Sequence, residues 1–344
     1  MKRSAQTQAA GLDGDGSPRR TLPACVLPEG TVGDLISELK AQWKRYRKQL
    51  RRCQKKFSEE AIHDSRVETR RLLSYTELLA PFLSKRDVRR AERALKQHLD
   101  TFDNLRDTQV QLLAVVKLGR AFVAARHFEV YLRKREERFT RQTARNIKRV
   151  KTRRLEKMIS KFAGQAARQA THHSTARASA MVLASAARAF HRAEDLRALI
   201  DPKDTQTIHC TRVAFKRFRY MVEALRPHLP GIDKQWLKAM HAYQTIMGDI
   251  QDAEVLVRSF DKFSSKKETE PGLAREFHEE LVHRRESLIK RYLGVADQLL
   301  QFWPLPGTNA GPEIPTGAGR GPAAPDGDSP PSRFARKTNK RSPL

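Results

Sequence analysis

The chain has 344 residues, with 67 Lys and Arg against 39 Asp and Glu, a formal charge of +28. So one-sided a charge repels itself in any compact state and attracts polyanions, which leaves nucleic acid, an anionic membrane surface or a phosphate polymer as candidate partners. The 39% apolar content still allows a core, and no run approaches the roughly 18 apolar residues that a membrane span needs.

Cys25, Cys53 and Cys210 are odd in number, widely spaced and form no C-x-x-C. Neither a disulfide framework nor a metal site is indicated, no cofactor is expected, and a reducing compartment fits. Lys2 and Arg3 are followed by no apolar leader core. The expectation is a soluble, cytoplasmic protein.

In chain order, residues 1–30 contain GLDGDGSPRRTLP and LPEG and read as a disordered arm. Residues 31–303 carry almost no period-2 alternation and are rich in Ala, Leu, Arg, Lys, Glu and Gln, the strong helix formers. Apolar residues recur at three and four, as in Leu35, Leu39, Trp43 and Tyr46. The expectation is an all-α chain of eight or so helices, punctuated by Pro81, Pro202, Pro227 and Pro230. The second helical stretch, IHDSRVETRRLLSYTELLAP at 62–81, is crowded with charge at its start and apolar at its end. The run RKREERFTRQTARNIKRVKTRR at 133–154 places Arg138, Arg141, Arg145 and Lys148 on one helix stripe, suited to a nucleic-acid backbone or simply to solvent. DPKDTQTIH at 201–209 reads as a linker with caps, and residues 304–344 read as a second disordered, basic tail.

The stretch after the linker, IHCTRVAFKRFRYMVEALRP at 208–227, aligns without a gap on 62–81 at an offset of 146. Ile62, His63, Arg66, Val67, Arg71, Glu77, Leu79 and Pro81 recur as Ile208, His209, Arg212, Val213, Arg217, Glu223, Leu225 and Pro227, with Arg70 over Lys216. Asp87 falls over Asp233 at the same offset, whereas FDNLRDTQV (102–110) falls over MGDIQDAEV (247–255) at 145, Asp107 over Asp252. One residue of slip lies between the blocks. A period this long is no solenoid. It points to an internally duplicated helical domain with halves of about 31–200 and 201–303.

At about 100° per residue, His63, Arg66 and Arg70 share a stripe about 60° wide, and His209, Arg212, Lys216 and Arg219 share a similar one. Arg71 and Arg217 lie on the flank. Like charges at i,i+4 cost an isolated helix about 0.2–0.5 kcal/mol per pair, so two such ladders call for an anion. Arg forks suit phosphate oxygens, Lys supplies a point charge, and a phosphate favours the charged form of His. The competing reading is a solvated basic face. Duplication alone gives no reason to keep His and Arg twice on a polar side. Glu77 and Glu223 fit either an arginine anchor or helix-surface pairing. Asp107 and Asp252 fit either a group that orients a cation or a helix cap.

H-x-x-R-V-x-x-[RK]-R, occurring twice with an aspartate block after each copy, resembles the CHAD family, the conserved histidine α-helical domain, over roughly 31–303. The resemblance implies two pseudo-symmetric four-helix bundles around a basic cavity or groove, binding of inorganic polyphosphate and association with polyphosphate granules. Carried over to this chain, the binding positions are His63, Arg66, Arg70, Arg71, His209, Arg212, Lys216, Arg217 and Arg219, with Lys96, Arg106 and Lys238 as additions from the following helices. Two positions depart from the pattern. Leu73 stands where Arg219 stands in the second copy, and Asp103 replaces the glycine seen at Gly248. The E-x-E-x-K signatures of the triphosphatase domain often fused to the family are absent, so a stand-alone binding module is expected.

No enzyme is expected. HEELVH at 278–283 sets its histidines five apart, about 140° around a helix, which is wrong for a shared metal. His172 and His173 also diverge, and no P-loop or G-x-S-x-G is present. Nucleic-acid binding is the alternative. Aromatics are only 7% and do not interleave with the basic stripes, a poor basis for base stacking.

Overall fold

The computed structural model describes residues 27–119, 121–266 and 270–306. The fold is all-α, and no strand occurs among the described residues. The helices are α1 (Thr31–Lys55), α2 (Glu59–Leu78), α3 (Lys85–Asp100), α4 (Asp103–Leu118), α5 (Val123–Arg149), α6 (Arg153–Ala170), α7 (Thr175–Ala198), α8 (Thr205–Leu225), α9 (Lys234–Ser264) and α10 (Pro271–Leu293). Short 3-10 turns follow α2 at Ala80–Phe82 and α8 at Arg226–His228, and a longer one at Ala296–Phe302 follows α10.

Local chemistry sets the two motif helices. Ser58 caps α2 by accepting from the Ala61 N–H at 3.2 Å, and Glu59 and Glu60 fill its first turn. Asp204 caps α8 by accepting from the Gln206 N–H at 2.9 Å. Both helices end in a 3-10 turn that contains proline, at Pro81 and Pro227. Where α3 and α4 are separated by a break at 101–102, α9 runs on without interruption. The single-residue slip between the repeat blocks lies in this region.

Helices from both ends of the sequence pack together. α1 lies along α2, α7 along α8, and α2 packs against α8, while α4, α5, α9 and α10 form a second group. The larger core runs through α1, α2, α3, α6, α7, α8 and the start of α9 and includes an aromatic cluster of Phe215, Phe218, Phe190, Tyr243 and Phe302. The smaller joins α4, α5 and α10 to the end of α9 around Phe128, Phe260, Phe263 and Phe277. Each core therefore draws on sequence from both sides of residue 200.

The core also reaches past the limits expected for the arm and the tail. Leu27 and Leu305 are each 1% exposed, and the Leu27 carbonyl accepts from Ser179 Oγ at 3.4 Å. Gly30, at φ 82°, turns the chain into α1 in the left-handed region that glycine tolerates. Pro and Gly neighbours conceal these two isolated leucines in the sequence. The rest of the expected disordered segments, residues 1–26 and 307–344, lies outside the described residues. Leu27→Ala and Leu305→Ala should each cost about 2–5 kcal/mol, the usual range for emptying a buried leucine site. Urea unfolding measures this, and unchanged midpoints would return both residues to the arm and tail.

Candidate functional site

The packing of α2 on α8 brings the two histidine–arginine stripes to one cavity of about 450 Å³. His63, Arg66 and Arg70 line it from α2, and His209, Arg212, Lys216 and Arg219 from α8. Arg106 and Asp107 enter from α4, and Gln244, Gln251 and Asp252 from α9. A larger cavity, about 1110 Å³, adjoins it between α2, α3, α7 and α8. Arg70, His209, Lys216 and Tyr220 border both.

The charges in the smaller cavity do not balance. Five guanidinium groups and the Lys216 amine face three carboxylates, those of Asp103, Asp107 and Asp252. Arg66 Nη1 donates to Asp103 Oδ1 at 2.8 Å and to the Leu99 carbonyl at 3.2 Å. Arg219 is buried, pairs with Glu223, and donates through Nε to Gln244 Oε1 at 2.8 Å. Its guanidinium lies 4.4 Å from the centre of the Tyr220 ring. Arg70, Arg106, Arg212 and Lys216 make no ion pair with a described carboxylate. Arg212 Nε and His209 Nδ1 are buried with no hydrogen-bond partner. Buried polar atoms of this kind cost about 1–3 kcal/mol each when unsatisfied.

Burial and crowding shift these groups in one direction. Burial, then the neighbouring Arg70, Arg212, Arg66 and Arg219, pulls the Lys216 ammonium from its ordinary 10.5 down to about 6. Burial likewise lowers Arg70 and Arg212, and it lowers His209 against a hydrogen bond with Gln251 that opposes the shift. Desolvation raises the carboxyls of Asp107 and Asp252. These two aspartates sit within α4 and α9, on the cavity wall, and cap neither helix.

The remaining candidate positions lie elsewhere. Lys96 and Arg217 line the larger cavity, where Arg217 Nε donates to the buried Glu77 at 2.7 Å, joining α8 to α2. Glu77 thus anchors an arginine of the other half, while Glu223 pairs with Arg219 on its own helix. Arg71 pairs with Glu68 at 2.8 Å and borders neither cavity. Lys238 is exposed and borders neither. Tyr220, Gln251 and Gln244 were not singled out from the sequence. Their signal was positional, since Gln251 aligns with Arg106 and Gln244 with His98 at the repeat offsets. Among the described residues no cluster of His, Cys, Asp and Glu is arranged to hold a metal, and no helix is long and apolar enough to cross a membrane.

The sequence profile of the CHAD domain matches residues 35–260, more than half of the chain. The chain belongs to the CHAD family. The CHAD domain from the plant Ricinus communis, known from a crystal structure, shares its fold at a TM-score of 0.57 and 17% sequence identity, over 83% of this chain and 96% of that one. No curated protein matches the sequence.

A CHAD domain with a neutral lysine amine among arginines should show it in its pH dependence. Between about pH 6 and the ordinary 10.5 the folded chain holds Lys216 deprotonated while the unfolded chain holds it protonated. Stability then rises with pH across that window, and the full cost of charging the group applies below about pH 6. Thermal unfolding without added anions should show the midpoint rising from pH 6 to 9. Lys216→Met should flatten that rise and lift the midpoint at the acid end. An identical pH profile in the variant would place Lys216 in an ordinary solvated setting.

Proposed function

We propose that this CHAD protein is a non-enzymatic binding protein for inorganic polyphosphate, held along the paired α2 and α8 stripes and associated in the cell with polyphosphate granules. The observation that carries the reading is the group Arg70, Arg106, Arg212 and Lys216, which surrounds one cavity without forming an ion pair to a described carboxylate. A chain of phosphates would supply the missing negative charge and acceptors for the unpartnered Arg212 Nε and His209 Nδ1. It would also restore the charge on Lys216.

A bare polyphosphate needs no aromatic platform. Among the described residues that line the cavity Tyr220 is the one Phe, Tyr or Trp, and the Arg219 guanidinium lies over its ring. This favours polyphosphate over single-stranded nucleic acid, whose bases need open aromatic faces. General polyanion binding is the second reading. It rests on α5, where Arg138, Arg141, Arg145 and Lys148 are all exposed and border neither cavity.

Labelled long-chain polyphosphate, bound to the full chain at about 0.15 M salt, where the Debye length is about 8 Å, is challenged with DNA, RNA or unlabelled polyphosphate at equal phosphate concentration. Only polyphosphate should displace the label. Replacing His63, Arg66, Arg70, His209, Arg212 and Lys216 together by Ala should weaken binding more than about 100-fold, given roughly 1.5–3 kcal/mol per charged hydrogen bond, with helicity kept. Equal competition by DNA would favour the second reading. Undiminished binding by the six-fold variant would remove the cavity as the site.

A further inference from the structure

Arg66 and Arg212 occupy the same place in the two motif copies and face the same cavity, yet they differ in what stands at one aligned position beside them, 103 in the first copy and 248 in the second. In the first copy that position is Asp103, and its carboxylate binds Arg66 at 2.8 Å. In the second it is Gly248. A Cβ there would lie 3.6 Å from Arg212 Nε and 3.8 Å from Nη2, ordinary contact distances, so the glycine is not required by space. What it leaves out is a carboxylate in contact with the arginine: Asp249, which stands where the first copy has Asn104, acts on Arg212 only through space and forms no ion pair with it. Arg212 Nε is buried without a partner, whereas the Asp103 side chain is 49% exposed at the cavity. Asp107 and Asp252 recur in both copies and create no difference between them.

We infer that Asp103 is a resident counter-anion that occupies the first-copy arginine, making the site one-sided: a phosphate chain is anchored at His209, Arg212 and Lys216 and reaches Arg66 only by displacing the Asp103 carboxylate. This rests on the polyphosphate reading above. Asp103 then determines specificity. A short anion binds the second-copy arm and the adjoining Arg70, which has no ion pair to give up. A long chain gains Arg66 only where its local charge outcompetes a tethered carboxylate, a repulsive element of the kind that discriminates among ligands. The same residue lowers the total affinity.

Calorimetric titration of the full chain with tripolyphosphate and with long-chain polyphosphate, at two salt concentrations, tests this in the parent, Asp103→Asn, Gly248→Asp and Gly248→Ala. Asp103→Asn should tighten long-chain binding about 10-fold and steepen the salt dependence by about one released counterion, with little effect on tripolyphosphate. Gly248→Asp should weaken both ligands about 10-fold or more, while Gly248→Ala, the steric control, stays within about 2-fold. Circular dichroism confirms folding of each variant, and Asp103→Asn decides the matter if Gly248→Asp fails to fold. A parent that binds long chains and an Asp103→Asn variant that binds them no better would overturn this inference and leave the polyphosphate reading standing. A parent that binds no polyphosphate would overturn both.

Discussion

The structure depends on the packing of α2 against α8. Their apolar ends, with Leu72, Leu78, Phe215, Phe218 and Leu225, belong to the larger core, and that fixes their charged starts around a shared cavity. His63 and His209 are the fifth residues of their helices and Arg66 and Arg212 the eighth, so the second turns of α2 and α8 set all four around it. Glu59 and Glu60 place negative charge in the first turn of α2, and the Asp204 cap does so at the start of α8. Guanidinium groups and a buried amine crowd one cavity, the charge pattern that suits an anion.

The protein's carboxylates are distributed so as to quieten some of these cations and not others. Glu68 takes Arg71, Glu77 takes Arg217, Glu223 takes Arg219 and Asp103 takes Arg66. Three of these pairs involve positions at the flank or the far end of the stripes, and Arg217–Glu77 also ties the two motif helices together. The positions left over are Arg70, Arg106, Arg212 and Lys216, which line the smaller cavity. A merely solvated basic face would not be sorted in this way. Its cations would be exposed, as on α5.

Much of this was legible in the sequence. Helix composition and the 3- and 4-residue spacing gave the all-α class, and the stripe angles set His63, Arg66 and Arg70 together, the three that line the cavity from α2, with Arg71 on the flank although it was counted among the binding positions. The substitution of Asp103 for glycine stood out as a departure, although only coordinates reveal that it holds Arg66. Other features depend on long-range packing. Period and propensity say nothing of which helix meets which, so the cores that join both sides of residue 200, the reach of Glu77 to Arg217 and the second cavity were invisible. Asp107 and Asp252 read equally well as caps, because helix starts favour aspartate. Leu27 and Leu305 were lost among Pro and Gly, since an isolated leucine has no periodicity.

If the cation cluster is held at a cost that an anion relieves, stability and binding must trade against each other. The direct measurement is thermal unfolding of the parent and of the six-fold alanine variant, each with and without long-chain polyphosphate at fixed pH and salt. The variant should melt higher than the parent in the absence of the anion, and polyphosphate should raise the parent's midpoint in a concentration-dependent way while leaving the variant's in place. A variant that melts lower than the parent without anion, together with equal shifts of both on adding polyphosphate, would contradict the account and make the paired stripes a structural feature of an otherwise unselective basic surface.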